Sequence, residues 1–202
     1  MKVVILAGGF GTRLSEYTDT IPKPMVPIGN KPIIEHIMDI YASYGHIDFY
    51  IALGYKGEII KNHFKNFPKK WNINLIDTGS DTLTGGRLKR LNKYLNDDDF
   101  LLTYGDGISD IDINQLIKFH KDHGKLVTIS AVRPPARFGS LSFKGSDVLK
   151  FKEKTQLGES WINGGFFVMK PKFLDFIKGD ATVLESNPLE KVTDLKEIKA
   201  FK

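Results

Sequence analysis

The 202-residue chain contains no cysteine, which excludes a disulfide framework and any thiolate metal centre. A bound metal must therefore be held by oxygen or imidazole. No apolar run approaches the roughly 20 residues of a membrane-spanning helix, and the N-terminal apolar stretch, broken at Gly8-Gly9, is too short for a signal-peptide core. These absences predict a soluble cytoplasmic protein without a membrane partner. Repeats, low-complexity tracts and linkers are missing too, which predicts one domain over residues 1–202. The net charge of +5 comes largely from scattered lysines such as Lys61, Lys65, Lys69 and Lys70. No stripe of interleaved aromatic and basic residues accompanies them, so they read as a solvated face, with no nucleic-acid partner expected. A small anionic substrate fits the same charge.

What is present is an alternation of strand and helix patterns. Strands are expected over Lys2–Ala7, Asp48–Leu53, Ile73–Asp77, Asp99–Thr103 and Leu126–Val132, with helices over Lys31–Tyr44, Gly57–Asn66, Gly86–Leu95 and Ile113–His123 between them. That order predicts an α/β fold with a mostly parallel sheet flanked by helices on both faces. Ile33, Ile34, Ile37, Ile40 and Tyr41 recur along one helix side and read as core, with Pro32 in the first turn. Beyond Val132 the strands Ser140–Phe143, Val148–Glu153 and Ile162–Met169 are expected to add antiparallel pairs to the parallel core. A helix near Lys172–Ile177, a further helix after Val183 and a short strand Glu197–Phe201 complete the expectation.

Directly after the first strand, Gly8, Gly9 and Gly11 allow backbone N–H groups to converge on phosphate oxygens, and Arg13 adds a fixed, planar charge. The run lacks the Gly-Lys-Ser/Thr of a Walker loop, and Leu14 replaces the third glycine of a dinucleotide fingerprint. Alone, it is equally a tight turn with a surface arginine. Lys23, held between Pro22 and Pro24, sits on restricted backbone and is the second cation of interest. Asp106, between Gly105 and Gly107, lies just past a strand end, where ligands of open parallel sheets collect, and is otherwise a turn residue. His120 and His123 read as solvated histidines at a helix end, and Asp110 and Asp112 as capping or exposed residues.

Taken together, Leu6-Ala7-Gly8-Gly9-x-Gly11-Thr12-Arg13-Leu14 and Pro22-Lys23-Pro24-Met25 resemble the signature of the sugar-1-phosphate nucleotidyltransferases. The stretches at 54–57, 77–90, 103–107, 137–141 and 162–168 are similar to the cytidylyltransferase branch of that family. The resemblance implies the Rossmann-like nucleotide-diphospho-sugar transferase fold and transfer of CMP from CTP to glucose 1-phosphate, giving CDP-glucose and pyrophosphate, with Mg²⁺ as cofactor. It implies a triphosphate site formed by Leu6, Ala7, Gly8, Gly9, Gly11, Thr12, Arg13, Lys23 and Gly105. Arg13 and Lys23 would be catalytic, on the pyrophosphate and the α-phosphate respectively. Thr82, Thr84, Gly85, Gly86 and Arg87 would read the base, and a helix start capped by Thr84 is compatible with that role. Asp106 would hold the metal; Glu153, Lys154, Asn163 and Gly164 would bind the sugar phosphate. Trp161 and Phe166 are either packing residues or sugar platforms.

The chain departs from the family pattern at Thr155, where proline is usual, and in a shorter stretch between Gly57 and Asp77, a region tied to subunit contacts. The family also has a C-terminal segment with a second metal-binding aspartate after a strand like Glu197–Phe201, and that segment is expected to be lacking here. Three readings follow: a cytidylyltransferase, possible as a homo-oligomer; a related enzyme using dTTP, UTP or GTP; or a non-catalytic CTP-binding subunit. A CDP-sugar product would suit deoxysugar and surface-polysaccharide synthesis.

Overall fold

The computed structural model describes residues 1–11, 20–134, 140–152 and 161–202. In chain order the elements are β1 (Lys2–Leu6), β2 (Pro27–Ile28), β3 (Lys31–Pro32), α1 (Ile33–Ser43), β4 (Asp48–Leu53), α2 (Gly57–Phe64), β5 (Asn72–Asp77), α3 (Thr84–Arg90), β6 (Phe100–Tyr104), α4 (Ile113–His123), β7 (Val127–Val132), β8 (Ser140–Lys144), β9 (Asp147–Lys152), β10 (Ile162–Met169), α5 (Asn187–Asp194) and β11 (Ile198–Phe201). Single 3₁₀ stretches occupy Lys23–Met25, Asn92–Tyr94 and Pro171–Phe176.

The main sheet runs β11-β7-β10-β6-β1-β4-β5, with every pairing parallel except those of β10. Central β1 is apolar on both faces because both are covered. Val3 and Ile5 pack with Ile34, Ile37 and Tyr41 of α1, whereas Val4 and Leu6 pack with Leu88, Leu91 and Phe173 on the opposite side. The two-residue period of the strand thus divides one apolar run between two cores.

Winding gives the sheet its functional edge. From β1 the chain moves outward through β4 to β5, then returns to place β6 on the other side of β1. The C-terminal ends of β1 and β6 therefore flank a topological switch point, the crevice where ligands of open α/β sheets lodge.

Some elements differ from the expectation. Helix α1 begins at Ile33, because Lys31–Pro32 pairs with Pro27–Ile28 as a short ribbon, and Pro32 takes the N-cap position. The expected helix over 86–95 starts earlier, at Thr84, and gives way to a 3₁₀ turn at Asn92–Tyr94; the helix near 172–177 is likewise 3₁₀. Strand β10 is not appended at an edge but inserted between β6 and β7, antiparallel to both. Phe166, Phe167, Val168 and Met169 are no more than 1% exposed, and only an interior strand buries so continuous a run. The β8–β9 hairpin forms its own two-stranded sheet, with Leu141, Phe143, Val148 and Phe151 exposed.

Helix α4 is punctuated as its sequence directs. Asp112 caps it by accepting the Gln115 N–H at 3.0 Å, and Gly124 ends it at φ 66°. Its histidines are not solvated as expected. His120 is buried at 1% exposure, with Nδ1 2.7 Å from Thr128 Oγ1, and half-buried His123 reaches the same hydroxyl through Nε2 at 2.7 Å. The apolar periodicity of α4 includes position 120, so the ring follows Leu116 and Ile113 inward and β7 supplies its polar partner.

Candidate active site

At the switch point lies a cavity of about 330 Å³ lined by the loop after β1, the 3₁₀ turn at Lys23, the segment before α3 and the end of β6. The strand-to-loop passage is fixed by backbone pairing: Ala7 N–H donates to Ala52 O and Gly105 N–H to Leu6 O, each at 3.0 Å. A Cβ on Gly105 would stand 2.9 Å from Leu6 O, so a bare backbone is needed for β6 to close against β1.

The loop is clamped from below by Arg87. Its Nη2 donates to Gly8 O at 2.8 Å and Ser80 O at 3.0 Å. Its Nη1 donates to Leu53 O at 3.1 Å, Thr78 Oγ1 at 2.9 Å and Gly79 O at 2.6 Å. The side chain is 3% exposed, and burial, with Arg90 nearby, lowers the guanidinium pKa. A Cβ on Gly8 or on Gly54 would fall 2.3 or 2.2 Å from Arg87 Nη1. Those glycines therefore make room for the arginine. With Tyr55 N–H also bonded to it at 3.0 Å, the Gly8 carbonyl is held against the protein body.

Across the cavity stand Lys23 and Asp106. Lys23 projects from a turn closed by Met25 N–H to Pro22 O at 2.8 Å and Val26 N–H to Lys23 O at 3.1 Å. Its ammonium pairs with Asp106 Oδ2. The Asp106 carboxylate is thus a hard oxygen donor that already faces a cation, and its side chain is 37% exposed. No group of three or more His, Cys, Asp or Glu side chains suited to a metal occurs among the described residues. The donor set fits a small hard cation that completes its shell with water and phosphate oxygens, as magnesium commonly does.

Thr82, Leu83, Thr84 and Arg87 line the cavity with Ser80 and Asp81, but Gly85 and Gly86 do not. A Cβ on Gly85 would lie 2.8 Å from Thr182 O, and one on Gly86 2.5 Å from the Asp180 backbone. The glycine pair admits the 180–184 segment instead, which receives Leu83 N–H on Asp180 O at 2.9 Å and the N–H groups of Gly85 and Gly86 on Thr182 O at 2.9 and 3.2 Å. Thr84 is the first residue of α3 and does not cap it; its hydroxyl bonds to Glu185 and Leu184.

Asn163 and Gly164 do not line this cavity; they lie where the β10–β7 register shifts between Asn163 and Phe167. Gly165 adopts φ 82° and Gly164 abuts Ser130, so the irregularity requires both glycines. Asn163 Nδ2 donates to the Tyr104 hydroxyl at 3.1 Å. Burial and the neighbouring Glu185 raise the Tyr104 pKa, keeping the phenol protonated. Phe166 is a core residue against Tyr41, whereas Trp161 is 37% exposed beneath the Arg133 guanidinium, 4.6 Å from its ring centroid.

Of the residues singled out in the sequence, Leu6, Ala7, Gly8, Gly9, Gly11, Lys23, Thr82, Thr84, Arg87, Gly105 and Asp106 line one cavity. Thr12, Arg13, Glu153 and Lys154 lie outside the described residues. Phe10, Pro24, Ser80, Asp81, Leu83 and Tyr104 are additional lining residues. Most are neighbours of the quoted motifs, and adjacency was the signal available for them.

Comparison with known proteins identifies the family. The nucleotidyl transferase family model matches residues 2–197. Glucose-1-phosphate cytidylyltransferase of Salmonella typhimurium is 47% identical over 224 aligned positions, covering all of this chain and 87% of the relative. The probable glucose-1-phosphate cytidylyltransferase of Bacillus subtilis is 40% identical, with 88% of its length covered. Among solved structures, HddC from Yersinia pseudotuberculosis superposes with a TM-score of 0.77 at 31% identity, over 99% of this chain and 89% of that one. The family match across nearly the whole length, together with these relatives, establishes that the chain belongs to the sugar-1-phosphate nucleotidyltransferases.

Proposed function

We propose that the protein transfers CMP from CTP to α-D-glucose 1-phosphate, forming CDP-glucose and pyrophosphate. The observation that carries this reading is the convergence of the glycine loop, Lys23 and Asp106 on one cavity with the Thr82–Arg87 segment. The 47% and 40% identity to proteins named as glucose-1-phosphate cytidylyltransferases supports the choice of base and sugar.

In the proposed reaction a phosphate oxygen of glucose 1-phosphate attacks the α-phosphorus. A new P–O bond forms, the α–β anhydride bond breaks, and its electron pair leaves on pyrophosphate. Two polyanions must meet, so charge neutralisation and alignment supply most of the acceleration. Lys23 is assigned to the α-phosphate and the loop N–H groups to the triphosphate. By resemblance, Arg13 serves the leaving pyrophosphate, while Glu153 and Lys154 serve the sugar hydroxyls and sugar phosphate. The Thr82–Arg87 segment would receive the base, with Arg87 acting through the carbonyls it holds; Asn163 and Gly164 would border the sugar.

The family implies a divalent-metal-dependent mechanism, and we assign Mg²⁺ to Asp106. Bound there with the triphosphate, the ion would neutralise phosphate charge. Lys23 would then exchange its Asp106 partner for a phosphate oxygen, so both sides of the present ion pair gain a role. A cytoplasmic location belongs to the same proposal, since nucleoside triphosphates are available there, as does a homo-oligomeric assembly.

The test is pyrophosphate release with Mg²⁺ and glucose 1-phosphate, offering CTP, UTP, dTTP and GTP separately, with Asp106→Ala as control. Release with CTP, lost in the variant, is the expected result. Equal or better release with another triphosphate would overturn the base assignment, and silence with all four in a folded protein would favour a non-catalytic nucleotide-binding subunit.

A further inference from the structure

Glu185 belongs to no motif discussed above, yet its carboxylate joins the two halves of the site. Thr84 Oγ1 donates to Oε2 at 2.8 Å, and the Tyr104 hydroxyl donates to Oε1 at 2.7 Å. Each hydroxyl also accepts: Thr84 from Leu184 N–H at 2.9 Å, Tyr104 from Asn163 Nδ2 at 3.1 Å. Asn163 Oδ1 in turn accepts the Gly165 N–H at 2.8 Å.

The proton directions in this chain follow from the carboxylate. An ionised carboxylate can only accept, so both hydroxyls must donate to it. The Tyr104 oxygen is then left as acceptor, which calls for the amide nitrogen of Asn163 and turns its carbonyl toward Gly165. One acidic side chain thereby sets the hydrogen-bond polarity from the start of α3 to the start of β10. The segment bearing Glu185 is itself bolted to the first of these regions, through the backbone bonds from Leu83, Gly85 and Gly86 and through Arg90, which grips Asp180 at 2.9 and 2.6 Å.

We propose that Glu185 is a positioning residue that locks the base-side segment at Thr84 and the sugar-side pair Tyr104–Asn163 into one register, fixing the nucleotide and the sugar phosphate relative to each other for transfer. This rests on the functional reading above for the identity of the two ligands. The lock itself concerns the free protein.

Glu185→Gln keeps the shape but leaves one acceptor for two hydroxyls, so the side-chain amide can satisfy either side of the lock and never both at once. We expect KM for CTP and KM for glucose 1-phosphate both to rise about tenfold, the scale of one charge-assisted hydrogen bond. Tyr104→Phe should raise only the sugar-phosphate KM and Thr84→Val only the CTP KM. Combining Glu185→Gln with Tyr104→Phe should cost the sugar side no more than the larger single effect, because both break one chain. Glu185 is exposed, so thermal melting of the Gln variant should match the wild type. Additive double-variant effects, or a change confined to one substrate, would overturn the proposal.

A readout without substrates separates this inference from the choice of ligands. The Asn163 side-chain amide should give one sharp pair of NMR signals in the wild type and shifted or exchange-broadened signals in Glu185→Gln. An unchanged amide would overturn the lock even if CTP is turned over. A changed amide in a protein that releases no pyrophosphate would leave the lock standing and remove the substrate assignment.

Discussion

Arg87 shows how one residue can shape a cavity through the backbone it holds in place. Its guanidinium binds the carbonyls of Gly8, Leu53, Gly79 and Ser80, joining the loop after β1 to the end of β4 and to the approach to α3. Arg87→Ala should destabilise the fold by about 3 kcal/mol in urea unfolding, since buried carbonyls lose charged donors. Arg87→Lys should recover only part of this, because a single ammonium cannot span the fork that serves both Gly8 and Leu53. In both variants KM for CTP should rise with the loss of the loop clamp. An Arg87→Lys protein with wild-type stability and KM would contradict the clamp. The sequence pointed to Arg87 as a base reader through its neighbours in a motif. Its partners lie 79 and 34 residues away at Gly8 and Leu53, and no local pattern announces them.

At the scale of elements, the glycines within α3 carry a similar lesson. Gly85 and Gly86 stand out in the sequence, and close approach of a base is one reason for bare backbone. The structure gives another: the 180–184 segment passes within 2.5 Å of where a Gly86 Cβ would be. Gly86→Ala should therefore cost about 1–3 kcal/mol by overpacking. It should also raise KM for both substrates by pushing Glu185 off Thr84 and Tyr104; an effect on CTP alone would place the requirement at the base instead. Helix α4 and strand β10 were legible to the residue, because periodicity, caps and a continuous apolar run are local signals. The interior position of β10 was not, since neighbour order depends on what other strands leave uncovered.

Helix α4 also carries a pH-sensitive contact. Burial pushes the His120 pKa down to about 4 from an ordinary value near 6.5, with His123 and Lys170 adding to the effect. Asp99 lies 3.5 Å from its Nε2, and burial raises that carboxyl's pKa, so burial opposes the charged form of each partner. The folded state binds fewer protons at His120 than the unfolded state. This contribution is therefore complete above about pH 6.5 and is lost as pH falls toward 4. The expected loss is about 2 kcal/mol between pH 7.5 and pH 5. Urea unfolding of the wild type and His120→Gln at the two pH values checks it; equal pH dependence in the two proteins would remove His120 as the cause, with Asp99 present in both.

On the scale of the whole molecule, the cavity lies between the half of the sheet running from β1 to β5 and the half running from β6 to β11. A ligand held by the β1 loop, Lys23 and Asp106 would tie those halves together, and binding only the folded state must raise the unfolding temperature. At a CTP concentration 100 times its Kd the gain is about 2.7 kcal/mol, or roughly 5–10 °C for a domain of this size. Mg²⁺ should enlarge the CTP shift in the wild type, because the ion relieves phosphate charge beside Asp106. In Asp106→Asn the increment from Mg²⁺ should shrink while CTP alone still stabilises, since Lys23 is then released from its carboxylate partner to meet the triphosphate. Thermal melts with CTP, with Mg²⁺ and with both provide the comparison. An undiminished Mg²⁺ increment in Asp106→Asn would move the metal to other oxygen donors, whereas no CTP shift in either protein would remove this cavity as the nucleotide site.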